Sequence, residues 1–511
     1  MMGRKVLAAK SGRAACSCAA AGGGIAAKSV KDAKSLTQRH KGTEKMKSSG
    51  NPWIGDVPEG WEVSRVKHHY ELILGKMLCV TSNNEANVRL PYVCAANVHF
   101  EGVALSDLKE MWFSTIEVKQ YAIREGDLLV VEGGAGAGGA AICPRIEAAV
   151  GIQNSIILVR NKNCRDNRYL RYLLEALVKN GYVDFVCNKA TIPHFTKDKL
   201  GNVPLPLPPL PEQQAIAAYL DEKCGAINAA VAEARKGIEE YKAWKKSLIF
   251  EVVTGKRRVG FFNAESKCAR DEVVGLPERS EPEGLQGAAR RRVAEKMKPS
   301  GIPWIGDVPM GWEVRRLKDI LARPLQYGAS ESGIAYDEAL PRYIRITDIT
   351  LDGRLKDKGV LSLTEESASD YILQDQDILL ARSGATVGKA FLYEKQMGRA
   401  AFAGYLIRAT IDVTNALPRF VYYTTLGCGY DDWRNSIAVS ATIQNIGADK
   451  YNNYSLPMPP LTEQRAIADY LDEKCAAIDA MIAEKEALIA DLEAYKKSLI
   501  YEVVTGKRRV S

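Results

Sequence analysis

The sequence has few of the residues that commonly hold metals or form disulfide frameworks. Its eleven cysteines include no CxxC pair, and of its five histidines only His68 and His69 are neighbours. Zinc sites and disulfide frameworks use clustered or evenly spaced cysteine and histidine ligands. We therefore expect no bound metal, and the cysteine usage favours a reducing, cytoplasmic location.

Long apolar runs are also lacking. None approaches the ~18–20 residues that a membrane-spanning helix needs, so we expect no membrane partner. Hydrophobic residues make up 46% and charged residues 26% of the 511 residues. These values are ordinary for soluble packed domains, and the length is enough for two to four of them.

Excess positive charge is absent from most of the chain. The net charge of +8 falls within residues 1–45, which hold ten Lys/Arg and two Asp/Glu, whereas the rest holds 60 basic and 60 acidic groups. Any DNA affinity of the body must then come from local patches. The Ala-, Gly- and Lys-rich composition of 1–45 cannot build a core. We expect a disordered extension there, or a mis-assigned start with Met46 as the true one.

A tandem duplication is the strongest feature of the sequence. Residues 46–259 recur as 297–510. Three repeated segments carry the match with an offset of 251 residues: a first at 50–67 and 301–318 (14 of 18 identical), a second at 208–224 and 459–475 (14 of 17), and a third at 245–259 and 496–510, which differs only at Phe250 and Tyr501. Internal repeats of this kind indicate a duplicated structural unit.

The middles of the two copies, 68–189 and 319–440, diverge. They share a strand-like run followed by a glycine-rich turn, and then an Ala-Thr-Ile element. Repeated outer segments around a variable interior suit a protein that recognises two different targets with the same scaffold. The alternative is simple duplication followed by neutral sequence drift. Drift alone, however, should not leave three separated segments nearly unchanged while the residues between them diverge.

Short β-like runs punctuated by Gly and Pro predict a mixed α/β or α+β globular part in each copy. We call this part the head. A proline-rich segment then ends the head and precedes a long helix. Glu212 suits the first turn of that helix, where a negative charge is favoured. The predicted order is an extension at 1–45, head 1 at 46–207, spacer helix 1 at 208–259, a linker at 260–296, head 2 at 297–458 and spacer helix 2 at 459–511.

Heptad spacing in both spacer helices predicts a coiled-coil seam, broken at Lys485 and Lys496. The seam residues are Leu220, Ile227, Val231, Ile238, Tyr241 and Leu248 in the first helix, and Leu471, Ile478, Ile482, Ile489, Leu492 and Leu499 in the second. A helix of ~44 residues spans about 66 Å. The linker can return the chain along that length, so we expect the helices to pair antiparallel, with the heads related by a pseudo-two-fold axis.

The repeated segments WIGDVPEGWEV, PLPPLPEQQAIAAYLDEKC and KKSLIFEVVTGKRRV resemble those of the specificity subunit of type I restriction–modification systems. The resemblance covers nearly all of 46–510, twice and in the expected order. It implies two target-recognition domains, each reading one half of a split site in double-stranded DNA. It also implies antiparallel helices that act as a ruler and dock two methyltransferase subunits.

The same resemblance implies further partners and the chemistry of the whole complex. Restriction–translocase subunits join it, and the system defends the host against foreign DNA. Adenine methylation from S-adenosylmethionine and ATP- and Mg-dependent cleavage belong to the partners, so this chain is expected to bind no cofactor and to have no catalytic residue. The rival hypothesis is a coiled-coil scaffold or adaptor with two protein-binding heads; a self-contained enzyme ranks third.

Two loops in each copy hold the candidate DNA-contacting residues. The glycine-rich turn at 133–139 lacks the Gly-Lys-Ser/Thr ending of a phosphate-binding loop, so a plain turn is the simpler interpretation. The second copy offers side chains suited to phosphates and base edges. The Ala-Thr-Ile elements add others, for which helix capping or strand-edge bonding is the alternative. The candidates are Lys189, Thr191, His194, Thr196, Arg382, Ser383, Thr386, Lys389, Thr442, Gln444 and Asn445.

Two further repeated features have less distinctive interpretations. The Pro-Trp pairs at Trp53 and Trp304 indicate packing turns, since tryptophan is a large buried anchor. The Lys-Arg-Arg runs at 256–258 and 507–509 could contact phosphates, or could serve a helix C-terminus, which favours cations. The sequence leaves these two alternatives for the basic runs open.

Exchange of residues 68–189 for those of another family member tests the modular interpretation. We expect only one half of the recognised DNA sequence to change, because the other head is untouched. Sequencing of methylated sites in a host carrying the hybrid measures this. A change in both halves, or in neither, would rule the interpretation out.

Overall fold

The computed structural model describes residues 45–82, 84–162, 165–187, 193–259, 296–350, 353–384, 387–438 and 445–510. The chain divides into two compact units. Unit 1 comprises the chain up to Ala232 together with 490–511, and unit 2 comprises Glu233–Ile489. Each unit therefore contains one head and a stretch of both long helices. None of the helices in the described ranges is long and apolar enough to cross a membrane.

Head 1 alternates short strands and short helices. Its strands are β1 (Met46–Ser48), β2 (Asp56–Pro58), β3 (Glu62–Arg65), β4 (Tyr70–Leu74), β5 (Val88–Val93), β6 (Val98–His99), β7 (Gly102–Val103), β8 (Lys109–Phe113), β9 (Leu128–Val131), β10 (Ala140–Ile142), β11 (Gly151–Ile152), β12 (Ile156–Asn161) and β13 (Pro204–Leu207). Its helices are α1 (Val66–His69), α2 (Thr115–Tyr121), α3 (Asn167–Lys179), α4 (Tyr182–Val186) and α5 (Lys197–Gly201), with a 3-10 turn at Ala95–Asn97. The long helix α6 (Leu210–Val253) follows.

Head 2 repeats this plan. Its strands are β14 (Met297–Pro299), β15 (Asp307–Pro309), β16 (Glu313–Arg316), β17 (Gln326–Tyr327), β18 (Ile334–Ala335), β19 (Arg342–Ile344), β20 (Leu361–Ser362), β21 (Ile378–Ala381), β22 (Ala390–Leu392), β23 (Ala400–Phe402), β24 (Leu406–Ala409) and β25 (Ser455–Met458). Its helices are α7 (Glu365–Ala368), α8 (Pro418–Thr424), α9 (Cys428–Ala438) and α10 (Ala448–Asn452), with 3-10 turns at Leu317–Ile320, Ile346–Asp348, Ser369–Tyr371 and Lys395–Met397. The second long helix is α11 (Leu461–Val504).

A four-stranded sheet forms the centre of each head, in the order β10-β9-β12-β4 in head 1 and β22-β21-β24-β17 in head 2. Successive residues of a strand face opposite sides of its sheet. In β9, Leu128 and Val130 belong to the core that includes α3, whereas Leu129 and Val131 belong to a separate core on the other face. Coverage of both faces explains why this strand is an unbroken apolar run.

A two-stranded ribbon brings the two ends of each head together. In head 1, β3 pairs antiparallel with β13, and α6 begins three residues after that strand ends. In head 2, β16 pairs with β25 in the same way before α11 begins. The ribbon thus places the first repeated segment beside the start of the long helix.

The two long helices run antiparallel where they meet inside each unit. In unit 2, Gly237 faces Lys485 while Lys245 pairs with Asp479, so the partner's number falls as the residue number rises. Unit 1 shows the same direction, because Glu212 pairs with Arg509 just beyond the end of the second helix and Asn228 is bonded to Lys496 within it. The predicted fold class, two mixed heads with two long antiparallel helices, is confirmed.

The residues of the predicted seam are withdrawn from solvent. Buried are Leu220, Ile227, Ile238, Leu248, Leu471, Ile478 and Leu499; half-buried are Val231, Tyr241, Ile482, Ile489 and Leu492. The two lysines that interrupt the pattern have specific neighbours. The Lys496 ammonium donates to Asn228 Oδ1 at 2.9 Å and lies 3.9 Å from the carboxylate of fully buried Glu175. Lys485 packs where Gly237 leaves room, with its Nζ 5.6 Å from the Tyr241 ring.

A glycine turn ends each of the two long helices, which have 44 residues each. Gly255 and Gly506 follow Val253 and Val504 and have φ of +73° and +72°. A left-handed residue after the last helical turn stops the helix, and glycine adopts it without strain. The predictions for the extension at 1–45 and the linker at 260–296 concern residues that lie, apart from Lys45 and Lys296, outside the described ones.

Replacement of Gly506 by alanine tests this helix end. A Cβ there would lie 2.4 Å from Pro58 Cδ, in a backbone conformation that alanine rarely adopts. We expect Gly506→Ala to lower the free energy of unfolding by about 1–3 kcal/mol, measured by urea denaturation. The matched control is Gly225→Ala, where a Cβ meets nothing within 4 Å; there we expect a gain of about 0.5–1 kcal/mol. Equal effects of the two changes would contradict this account.

Candidate nucleic-acid interface

The three repeated segments meet at one place in each unit, which we call the junction. In unit 1, the first and second segments of copy one meet the third segment of copy two, with Gly506 packed against Pro58 and Trp61. In unit 2, Gly255 of copy one packs against Pro309 and Trp312 of copy two. Each head is thus completed by the end of the other copy's helix, which gives a physical reason for the selective sparing of these segments.

A tryptophan, a glutamate and an arginine form the centre of the junction. In unit 1, Trp61 Nε1 donates to Glu212 Oε2 at 3.1 Å, and the guanidinium of Arg509 pairs with the other oxygen of the same carboxylate. In unit 2, Trp312 donates to Glu463 at 3.1 Å, and Arg258 pairs with that carboxylate at 2.5 Å. Charge-assisted hydrogen bonds of this kind are among the stronger ones in proteins.

A glutamine of the second segment holds the start of a head helix in each unit. The Gln213 side chain is fully buried; it donates to Pro208 O at 2.8 Å and accepts from the backbone of Asp166, which caps α3. Gln464 repeats both bonds, at 2.8 Å to Pro459 O and 2.7 Å from Leu417 N.

A tyrosine–aspartate bond then fastens each head to its own long helix. Tyr172 donates to Asp221 at 2.8 Å, and Tyr423 donates to Asp472 at 2.5 Å. Burial raises the pKa of Tyr172, so its hydroxyl remains a donor to Asp221 at neutral pH. Most of the polar positions in the repeated PPLxEQ and YLDEKC patterns therefore have a structural role.

The Lys-Arg-Arg runs also make contacts within the protein. Lys256 donates to Ile305 O at 2.9 Å, and Lys507 donates to Ile54 O at 2.7 Å. The last arginine of each run forms the carboxylate pair of the junction. These contacts attach each run to the head of its unit, a role that neither alternative describes, and phosphate contact stays a prediction for the runs. Trp53, as predicted, packs in a turn, against Tyr182 and Phe185.

The two candidate loops of each head lie side by side. An isolated antiparallel bridge joins Gly133 of the glycine-rich turn to His194, and the corresponding bridge in head 2 joins Ser383 to Asn445. The structure thus brings together segments that are some sixty residues apart in the sequence. We call the described residues around each bridge the platform of its head. In head 1 these are 132–134, Ser155 and His194, and in head 2 they are Tyr327, 382–384, Tyr405 and Asn445.

The backbone of the platform is the same in both heads. Glu132 N donates to Ser155 O and Arg382 N donates to Tyr405 O, both at 2.9 Å. The amide of Phe195 donates to Glu132 O at 2.6 Å, as that of Ile446 does to Arg382 O at 2.9 Å. These matched bonds make Glu132 the counterpart of Arg382, Ser155 that of Tyr405, and His194 that of Asn445.

Two backbone positions of the turn have the same left-handed conformation in both copies. Gly134 and Gly384 have φ of +89° and +79°, where a side chain would be strained. Glycine at these positions follows from the turn itself, whereas Gly133, which stands where head 2 has Ser383, leaves head 1 with one side chain fewer on its platform.

The candidate residues divide into three groups. Thr196 caps α5 by accepting from Lys199 N, and Lys389 Nζ lies 3.4 Å from Thr350 O, so both have protein partners. His194 is exposed, whereas Arg382, Ser383 and Asn445 are half-buried on the platform. Lys189, Thr191, Thr386, Thr442 and Gln444 lie outside the described residues. Contact with DNA stays a prediction for every member of the set.

Sequence reasoning missed three platform residues, namely Glu132, Tyr327 and Tyr405. Tyr327 is 41% and Tyr405 62% exposed. Glu132 directly follows a strand-like run, just as the predicted Arg382 does, so alignment of the two runs could have found it. Nothing in the local sequence of Tyr327 marks it, because its place beside Arg382 depends on the pairing of β17 with β24.

No group of three or more His, Cys, Asp or Glu placed to hold a metal occurs among the described residues. The thiols of Cys224 and Cys475 are buried in the two long helices, and burial raises the pKa of both to about 11. They are therefore protonated at neutral pH and belong to the apolar seam rather than to a reactive site.

The comparisons with known proteins agree with this geometry. A family model described as Type I restriction modification DNA specificity domain matches residues 58–233 and 309–490. The chain belongs to this family. The two matched ranges each cover most of one head and much of the helix that follows it, so the domain is present twice.

Relatives extend the match over most of the chain. The Type I restriction enzyme MjaVIII specificity subunit of Methanocaldococcus jannaschii is 25% identical over 89% of this chain and 94% of the relative. The putative type I restriction enzyme MjaX specificity subunit of the same organism is 23% identical, with 89% and 96% covered. A chain in a structure described as "Structural basis underlying complex assembly and conformational transition of the type I R-M system" has a TM-score of 0.60 at 17% identity, with 88% and 99% covered. This last likeness concerns the fold alone.

Removal of the junction carboxylate tests its structural role. In Glu212→Ala, the Trp61 indole loses its acceptor and Arg509 loses its counter-ion, so we expect a loss of about 1–3 kcal/mol in the free energy of unfolding. Urea denaturation followed by tryptophan fluorescence measures it.

The control is Glu222→Ala on the same helix, whose side chain is 71% exposed and pairs only with neighbouring Lys223 among the described residues. We expect it to change the free energy of unfolding by less than about 0.5 kcal/mol. If the two variants unfold at the same urea concentration, the junction carboxylate is not a stabilising contact.

Proposed function

We propose that this chain is the sequence-specificity subunit of a type I restriction–modification complex and that each head reads one half of a bipartite DNA site. One observation carries the proposal: the two platforms share a backbone frame but differ in side chains at matching positions. Two readers of different sequences need this combination, because the bases are distinguished by the pattern of donors and acceptors on their edges.

The composition of the platforms also suits DNA. Head 2 places a guanidinium, a hydroxyl and an amide together at Arg382, Ser383 and Asn445. The Asn445 Oδ1 atom is buried and has no hydrogen-bond partner among the described residues. Arginine and asparagine side chains are the ones that bind guanine and adenine edges bidentately.

A recognition role, rather than catalysis, follows from membership of this family. We propose that two methyltransferase subunits dock on the chain and that restriction–translocase subunits join them in the cytoplasm. Adenine methylation with S-adenosylmethionine, and DNA cleavage with ATP and Mg, are then performed by those partners. The names of the relatives support this division, since they are specificity subunits of restriction enzymes.

The proposal is tested with the full chain co-purified with a type I methyltransferase subunit. We expect selection from a pool of random duplexes to enrich two specified stretches separated by a gap of fixed length. We also expect the logarithm of the binding constant to fall linearly with the logarithm of the salt concentration, because phosphate contacts release counterions. The methyltransferase subunit alone, against the same duplexes, is the control.

Two outcomes would overturn the proposal. Enrichment of one continuous stretch would mean that the heads are not separate readers. Stable binding of the methyltransferase subunit without any enriched sequence would instead support a scaffold with protein-binding heads.

A further inference from the structure

One position of the platform carries opposite charges in the two heads. It is occupied by Glu132 in head 1 and by Arg382 in head 2. Each residue follows the buried central strand of its sheet, β9 or β21, and the backbone hydrogen bonds described above are the same on both sides of it. The two side chains therefore leave equivalent points of equivalent frames.

Neither charge has an ion-pair partner among the described residues. Both residues are half-buried, and no ion pair or side-chain hydrogen bond to Glu132 or Arg382 occurs within the described parts of the chain. A half-buried charge without a counter-ion in the protein is available to pair with a ligand. The same backbone frame holds a negative residue in head 1 and a positive residue in head 2, so the frame itself requires neither charge.

The Arg382 guanidinium is held in place by an aromatic ring. It lies 5.1 Å from the centroid of Tyr327, and the Tyr327 hydroxyl accepts from Ala448 N at 3.0 Å. Stacking on a fixed ring orients the planar guanidinium and leaves its donors available. The exposed Tyr405, whose carbonyl receives the Arg382 amide, lies on the same platform.

We propose that Glu132 and Arg382 are matched specificity-determining residues, one for each half of the DNA site. Arg382 donates to O6 and N7 of a guanine in the half-site of head 2, and Glu132 accepts from the N4 amino group of a cytosine in the half-site of head 1. These are the base edges that the two side chains suit in the major groove. The inference rests on the proposed function and adds the residue and the base to it.

The test measures base preference at every position of the site for the chain in complex with its methyltransferase subunit. In Arg382→Ala, the preference for guanine at one position of one half-site should fall by roughly 5- to 150-fold, the range of a bidentate base contact. The other half-site should not change. Glu132→Ala, which removes both acceptor oxygens, should show the converse pattern, with loss of cytosine preference in the half-site of head 1 only.

Two further variants separate base recognition from charge and from folding. Arg399→Ala removes the same charge from head 2 at an exposed arginine that is paired with Glu365; we expect every base preference to be retained. Arg382→Lys keeps the charge but lacks the fork of donors, so the salt dependence of binding should persist while the guanine preference falls.

The outcomes distinguish the two proposals. If the unaltered complex shows no bipartite preference, the proposed function fails. If it does, and Arg382→Ala weakens binding to all sequences equally or not at all, only the present inference is overturned. Retention of the methyltransferase subunit by each variant shows that the chain has folded.

Discussion

A carboxylate shared between an indole and a guanidinium fixes each head to the long helices. Glu212 binds Trp61 of its own copy and Arg509 of the other, and Glu463 does the same in unit 2. The core of head 1 depends on this contact, because Leu499, Ile500, Val503 and Val504 of the second helix belong to it. A head without the other copy's helix end would expose that apolar surface to water.

The rigidity of this frame makes the variation of the platforms possible. The central strands β9 and β21 are buried on both faces, so the residues that follow them start from fixed points. Side chains on the platform can then change from Glu132 to Arg382, or from Ser155 to Tyr405, without disturbing the core. The repeated segments fasten each head to the long helices, and we propose that sequence recognition lies in residues outside the buried cores.

Polar groups in the helical seam also differ between the units in a matched way. In unit 1, Lys496 is bonded to Asn228 and lies near the buried Glu175. In unit 2, the corresponding Lys245 pairs with Asp479 at 2.7 Å, and the position that corresponds to Glu175 is occupied by Leu426. A buried charge that loses its partner costs several kcal/mol, about 3–5. The buried contacts of Lys496 therefore favour one register of the antiparallel helices over the alternatives, and the partly exposed Lys245–Asp479 pair contributes less.

The sequence by itself determined the duplication, the two long helices with their seam, and the mixed helix and strand content of the heads. These features follow from local periodicity and from repeated sequence segments. It could not decide that Trp61 and Arg509 share the Glu212 carboxylate, or that His194 lies beside Gly133, since such contacts join residues far apart and depend on how the chain closes. Tertiary structure likewise decided that Tyr327 lies beside Arg382. That placement is set by the pairing of β17 with β24, which leaves no signature in the local sequence of Tyr327.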